Sequence, residues 1–123
     1  MNDQDLKFLL DDYIGLYARD SLPRWRELFL PEFVATAPDD QGGVTAWTLD
    51  AFYERQRASF ATGKPISESL ENTRVERVGP LACVRSDFTW TDGTMSRQGR
   101  LMLLAVGDRG RFRVQSLAFC YPD

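Results

Sequence analysis

Along the first sixty positions the apolar residues recur with the period of a helix. Leu6, Leu9, Leu10, Tyr13, Ile14 and Tyr17 are spaced three and four apart, one stripe of an amphipathic helix. Asn2 or Asp3 can cap it, because a short side-chain oxygen accepts from the free N–H groups of a first turn. Ser21 offers a second cap, and Pro23 falls in the turn where its missing N–H costs nothing. Leu22, Trp25, Leu28 and Phe29 make the buried face of that short helix, and Pro31 stops it. Residues 33–37 read as a short strand, closed by Pro38 and the turn-rich Asp39-Asp40-Gln41-Gly42-Gly43. A third helix starts at Thr48, with Asp50 favourable near its positive end. Leu49, Phe52, Tyr53, Gln56 and Phe60 share its buried face, and Gly63 and Pro65 end it.

From about Leu70 the period changes from helical to strand-like. Strands are predicted over 72–78, 81–91, 96–106 and 111–121, separated by Gly79-Pro80, Asp92-Gly93 and Gly107-Asp108-Arg109-Gly110. Long strands joined by tight turns make an antiparallel meander. The chain shows no internal repeat, linker or low-complexity segment, so its 123 residues read as a single domain, 1–123. The expected fold class is α+β, three N-terminal helices packed on a strongly curved sheet.

Composition narrows what such a domain does. Hydrophobic residues at 43% and charged residues at 27% are those of an ordinary folded protein. A net charge of −3 and a pI near 5.0 argue against nucleic acid, and no polybasic patch suits a membrane surface. The acidic start Met1-Asn2-Asp3-Gln4-Asp5 lacks the basic and apolar regions of a secretory signal. The longest apolar run, 101–106, is far short of the roughly 20 residues that span a bilayer. A cytoplasmic location is the expectation. Cys83 and Cys120 then read as reduced thiols in separate strands. The absence of histidine removes every Ser-His, Cys-His and His-metal arrangement. Proton transfer near neutral pH falls to a carboxyl with a raised pKa, or to Lys, Tyr or Cys. No metal site and no cofactor are expected, since no phosphate-cradling glycine loop, metal cluster or nucleophile motif occurs.

The element order helix, helix, strand, helix, meander resembles the nuclear transport factor 2-like superfamily, which includes the polyketide-cyclase-like (SnoaL-like) proteins. The likeness covers nearly the whole chain. It includes Trp25-Arg26-Glu27-Leu28-Phe29 before the first strand and Gly110-Arg111-Phe112-Arg113-Val114 leading into the last. It implies a cone-shaped sheet curled around a pocket, with the helices as lid and a homodimer formed through the outer sheet face.

Alternation puts Val84, Ser86, Phe88 and Trp90 on one face of their strand, and Cys83, Arg85, Asp87 and Thr89 on the other. The aromatic set is expected to face the pocket. In the last strand Gln115, Leu117, Phe119 and Tyr121 form the bulky set, and Val114, Ser116, Ala118 and Cys120 the small one, expected at or near the dimer interface. Residues 101–106 are apolar on both faces, as in a strand covered twice.

Candidate chemistry follows from these faces. Ketosteroid-isomerase-like enzymes need a carboxylate base at the end of the first strand, a Tyr and a protonated acid for the oxyanion. The matching positions here hold Ala37 and Met102; Asp39 or Asp40 reaches the base position only with a register shift, and Tyr13 is available. Arg85-Ser86-Asp87 resembles the Arg-x-Asp element of limonene-epoxide-hydrolase-like enzymes. The last strand, however, offers Gln115 and Leu117 where those enzymes place a second Asp, and a solvated ion-pair face is the plainer reading. Arg100 can meet a carboxylate at a pocket mouth or snorkel from a strand end. Gln115 is a polar amide among bulky apolar residues.

The candidate catalytic set is therefore Tyr13, Asp39, Asp40 and Asp87. The candidate ligand-binding set is Tyr13, Tyr17, Trp25, Phe29, Phe52, Tyr53, Ser86, Phe88, Trp90, Arg100, Met102, Gln115 and Phe119. The leading functional reading is a pocket that binds a small, largely apolar or aromatic molecule. A second is an isomerase, cyclase or hydrolase using a pocket Asp, which predicts an acid of perturbed pKa in the cavity. A third is an accessory or assembly role, because the C-terminal half also resembles the small subunits of ring-hydroxylating dioxygenases.

Overall fold

The computed structural model describes residues 1–122. Helix α1 (Asp3–Gly15) is closed at its start by a reciprocal pair: the Asn2 side chain accepts from the Asp5 N–H, and the Asp5 carboxylate accepts from the Asn2 N–H. Helix α2 (Leu22–Arg26) is a single short turn with Pro23 at its head. Ser21 does not cap it; its hydroxyl donates instead to the Leu16 carbonyl, tying the loop to the end of α1. Strand β1 (Phe29–Pro38) starts earlier than the residue pattern suggests. Phe29 and Pro31 belong to this strand rather than to α2. Pro31 is accommodated because the pairing of β1 with the last strand is interrupted between Phe29 and Val34, where no ladder donor is required.

A strand absent from the sequence reading, β2 (Val44–Thr48), hairpins back on β1 and leads directly into α3 (Leu49–Phe60). Thr48 caps α3 by accepting from the Ala51 N–H. The meander follows as β3 (Ser67–Val78), β4 (Leu81–Thr91), β5 (Ser96–Asp108) and β6 (Arg111–Cys120). Together the strands form one mixed six-stranded sheet of order β2-β1-β6-β5-β4-β3, in which only β1 and β6 run parallel. Helix α3 packs on β1 and β2, and α1 spans from β6 to β3 across the curved face.

Two bulges set which side chains face the helices. In β3 one extra residue lies between Glu71 and Arg74, and Asn72 takes the left-handed conformation (φ 55°) that asparagine tolerates. The Ser86 hydroxyl braces this bulge, donating to the Glu71 carbonyl and bonding to Thr73. In β6 the extra residue is Gln115, since Leu104 pairs with Ser116 and Ala105 with Val114. The side chains of Val114 and Leu117 consequently both point inward, and Gln115 is left exposed outside the cup. Cys83 and Cys120 lie opposite Leu104 and Arg100, apart along β5, and both are free thiols.

The core is aromatic. Trp25 is 2% exposed and packs edge-on to Phe29 with ring centres 4.6 Å apart; Phe29 repeats this contact with Phe33 at 4.7 Å. Gly99 gives the Phe88 ring its place, because a Cβ there would stand 2.4 Å from the ring's tip and 2.7 Å from the Cys120 carbonyl oxygen. Neither the core ring nor the backbone can retreat cheaply. Gly99→Ala is therefore expected to cost about 1–3 kcal/mol of stability, read as a lower midpoint in urea with an unchanged slope.

Candidate functional site

Two concavities lie on opposite sides of the sheet. The outer one, about 750 Å³, is open and bordered by Thr36, Ala37, Arg85, Asp87, Arg100 and Met102. Its charges are spent on each other: Asp87 accepts from the Asn72 amide at 3.0 Å and pairs with Arg100, directly across the ladder, at 3.5 Å. The inner cavity, about 360 Å³, lies between the helices and β3–β6. It is the candidate site, because it brings a half-buried, electrostatically perturbed carboxyl against aromatic walls.

That carboxyl is Glu68, on the inner face of β3 opposite Trp90. Its neighbours Ile66 and Leu70 also face inward, so the pleat delivers a carboxylate into an apolar lining. Burial pushes the Glu68 carboxyl up from its ordinary 4.5 to about 7; the Tyr13 hydroxyl facing it offsets part of this, and the Glu71 charge adds to it. At neutral pH Glu68 thus divides between its two protonation states, the condition for a group that both gives and takes protons.

Three tyrosines surround it. Tyr13, on α1, is held neutral far above the ordinary tyrosine range by burial and by the Glu68 charge. Tyr17 is fully engaged: its hydroxyl accepts from Trp90 Nε1 at 3.1 Å and donates to Gln56 Oε1 at 2.6 Å, linking α1, β4 and α3 around the cavity. Tyr121, just after β6, is raised by burial, against the opposing effect of Arg97. The Tyr13 hydroxyl faces Glu68, and Tyr121 also lines the cavity.

The candidate residues divide between the two faces. Tyr13, Tyr17, Trp25 and Phe52 line the inner cavity from the helical side, and Phe88, Trp90 and Phe119 from the sheet. Phe29 stands behind this wall in the core, and Tyr53 turns outward beneath the Arg26 guanidinium, 4.9 Å from its ring centre. Ser86 is inward but committed to the β3 bulge. Arg100 and Met102 lie on the outer face because the pleat of β5 turns Leu101 and Leu103 inward instead. Gln115 is removed from the cavity by its own bulge. Asp39 accepts from the Gln41 and Gly43 N–H groups in its turn, Asp40 is exposed, and Asp87 is on the outer face. None of these three aspartates enters the inner cavity.

Polar residues that line the site but were not among the candidates include Glu68, Arg55, Gln56, Arg97 and Tyr121. Glu68 was legible in principle, since Ile66, Glu68 and Leu70 alternate with polar neighbours ahead of the expected strand start. Among the described residues no group of three or more Cys, Asp or Glu side chains stands close enough to hold a metal ion. Nor, among the described residues, is any helix long and apolar enough to cross a membrane.

The sequence pattern of the SnoaL-like domain matches residues 6–118, from the first helix to the last strand. This chain belongs to the SnoaL-like family. Its fold is shared with solved structures of low sequence identity. A nuclear transport factor 2-like protein of unknown function from Silicibacter pomeroyi aligns with a TM-score of 0.77 at 15% identity, over 99% of this chain and 100% of the other. A proposed scytalone dehydratase from Novosphingobium aromaticivorans aligns at 0.79 and 14% identity, over 98% of this SnoaL-like chain and 83% of that one. The beta subunit of a proposed aromatic-ring-hydroxylating dioxygenase from the same organism aligns at 0.74 and 13%, over 98% and 88%. No curated protein matches the SnoaL-like sequence. At such identities the likeness is one of fold alone.

The Glu68 environment has a consequence for stability. Between about pH 4.5 and 7 the folded SnoaL-like protein holds this proton more tightly than the unfolded chain, so stability falls as pH rises through that window. Allowing for partial exposure, the penalty above pH 7 is on the order of 2 kcal/mol. Glu68→Gln should therefore be more stable than the wild type at pH 8 and indistinguishable from it at pH 4.5, measured by urea unfolding.

Proposed function

We propose that this SnoaL-like protein binds a small, flat, largely apolar or aromatic molecule in the inner cavity and transfers a proton on it, with Glu68 as general acid–base. The observation that carries the reading is the placement of one carboxyl, Glu68, among Trp25, Phe52, Phe88, Trp90 and Phe119. A simple binding pocket has no use for a group that destabilises the folded state when ionised; an acid–base site needs it. The catalytic carboxyl is a glutamate of β3 rather than any of the aspartates suggested by motif.

The chemistry follows from the lining. A carbonyl compound lying against the aromatic wall presents a C–H beside the carbonyl to the ionised Glu68. The carboxylate takes that proton, the electron pair moves into the carbonyl, and the developing oxyanion accepts from Tyr13 or Tyr121. Returning the proton to another carbon completes an isomerisation; giving it instead to a β-hydroxyl, whose C–O bond breaks as the enolate electrons form the C=C bond, releases water and completes a dehydration. The tyrosines serve as neutral donors because burial keeps them protonated across this range. The same reading makes the protein a homodimer through the outer sheet face. Its support is the exposure of Met102 (53%) and Val34 (42%) on the sheet face turned away from the helices.

The test uses 2-indanone, a flat bicyclic ketone with activated C–H bonds, in deuterated buffer. The protein should accelerate deuterium uptake, followed by NMR, with a rate that rises through an ionisation near 7. Glu68→Gln should lower that rate by about 10²-fold or more. Equal rates for variant and wild type would contradict the proposal.

A further inference from the structure

Two guanidinium groups stand at the rim of the cavity that encloses Glu68. Arg55, on α3, lies 4.7 Å from the centre of the Trp47 ring, and Arg97, on β5, lies 3.6 Å from that of Tyr121. Both are exposed and both line the inner cavity. Each sits over an aromatic face, which restrains a long side chain that solvent would otherwise leave mobile. Neither forms an ion pair among the described residues. By contrast Arg26, Arg57, Arg77, Arg100 and Arg113 each meet a carboxylate. Both also act on one group of the cavity, the Tyr121 hydroxyl, which they draw downward against the effect of burial.

We infer that the cavity selects organic anions: a flat aromatic or apolar body bearing one carboxylate-like group, its ring against Trp25 and Phe52 and its anionic end met by Arg55 and Arg97. The guanidinium fork matches a carboxylate in geometry as well as charge, and its aromatic backing leaves the N–H edge free to donate. An apolar body without that group fills the same walls but leaves the two cations unused. The inference names the substrate class of the site proposed above and rests on its cavity, though not on proton transfer by Glu68.

A bound anion also feels Glu68. Tyr13 and Tyr17 from α1, Tyr121 after β6, Arg55 from α3 and Arg97 from β5 line the cavity with that carboxyl, and Glu71, on the other face of its own strand, adds a charge from behind. The tyrosines stay neutral and the arginines charged through the neutral range, so ionisation of Glu68 adds a repulsive charge as pH rises past about 7. Binding of an aromatic carboxylate should accordingly tighten on acidification.

The probes are 2-naphthoate and its neutral amide, 2-naphthamide, titrated into the full chain by calorimetry and by quenching of tryptophan fluorescence. At pH 6 naphthoate should bind about tenfold more tightly than the amide, the scale of a charge-assisted contact at an open rim. The exposed pair Arg55→Gln and Arg97→Gln, combined, should bring that ratio to about one while the amide's affinity stays put. Equal affinity of the two probes for the wild type, a ratio untouched in the double variant, or failure of both probes to saturate overturns the inference. Glu68→Gln separates the two readings. A variant that keeps the naphthoate preference but loses its pH dependence supports the anion site. If it also exchanges 2-indanone protons at the wild-type rate, proton transfer by Glu68 fails and the anion site stands.

Discussion

Successive residues of a strand point to opposite sides of the sheet, so a one-residue slip in β3 or β6 would exchange the lining of this cup for its outer surface. The protein manages that constraint with two bulges. Below the one at Asn72, Glu68 and Leu70 face inward; beyond it Thr73, Val75 and Arg77 do. Past the bulge at Gln115, Leu117, Phe119 and Tyr121 join Val114 on the inner side. Polar side chains brace the sheet at these irregularities. Ser86 bonds across the first, and Arg113 reaches the Phe29 carbonyl at 2.8 Å, where β1 is out of register with β6. The site depends on this bookkeeping of faces more than on any single contact within it.

What the alternation delivers is an electrostatic asymmetry. Inside the cup a carboxyl and three tyrosines share a small cavity with aromatic rings, and burial drives all of them toward their neutral forms. On the outer face, Arg100 and Asp87 neutralise each other in solvent, which leaves neither poised for chemistry. The larger concavity is therefore the chemically quieter one. At the rim of the inner cavity the balance reverses, with two exposed guanidinium groups backed by aromatic rings. A neutral-leaning interior under a cationic rim is a coherent setting for proton transfer on an organic anion.

Most of the fold was legible because its signals are local and redundant. The helical stripe from Leu6 to Tyr17, the cap at Thr48 and the turns at Gly79, Gly93 and Gly110 all fall where periodicity and turn chemistry place them. The inward face of β4 was equally legible, since Val84, Phe88 and Trp90 alternate without interruption. The site was less so. Bulges carry little sequence signal, so Gln115 was expected among the pocket residues although the extra residue in β6 turns it out to solvent. Glu68 lies ahead of the expected strand start because Ser67, Glu68 and Ser69 are poor strand formers, held in the ladder by pairing with β4 rather than by propensity. Asp87 was a candidate by motif alone; strand alternation already set it on the face away from the aromatic residues, and there it pairs with Arg100.

The central claim is that enclosure in an aromatic cup has brought one carboxyl to the neutral range. Carbon-13 NMR of the glutamate side-chain carboxyls, with Glu68 assigned by its loss in Glu68→Gln, reads this directly. The account predicts that the Glu68 resonance titrates with a midpoint near 7, and a midpoint at the ordinary value near 4.5 would contradict it.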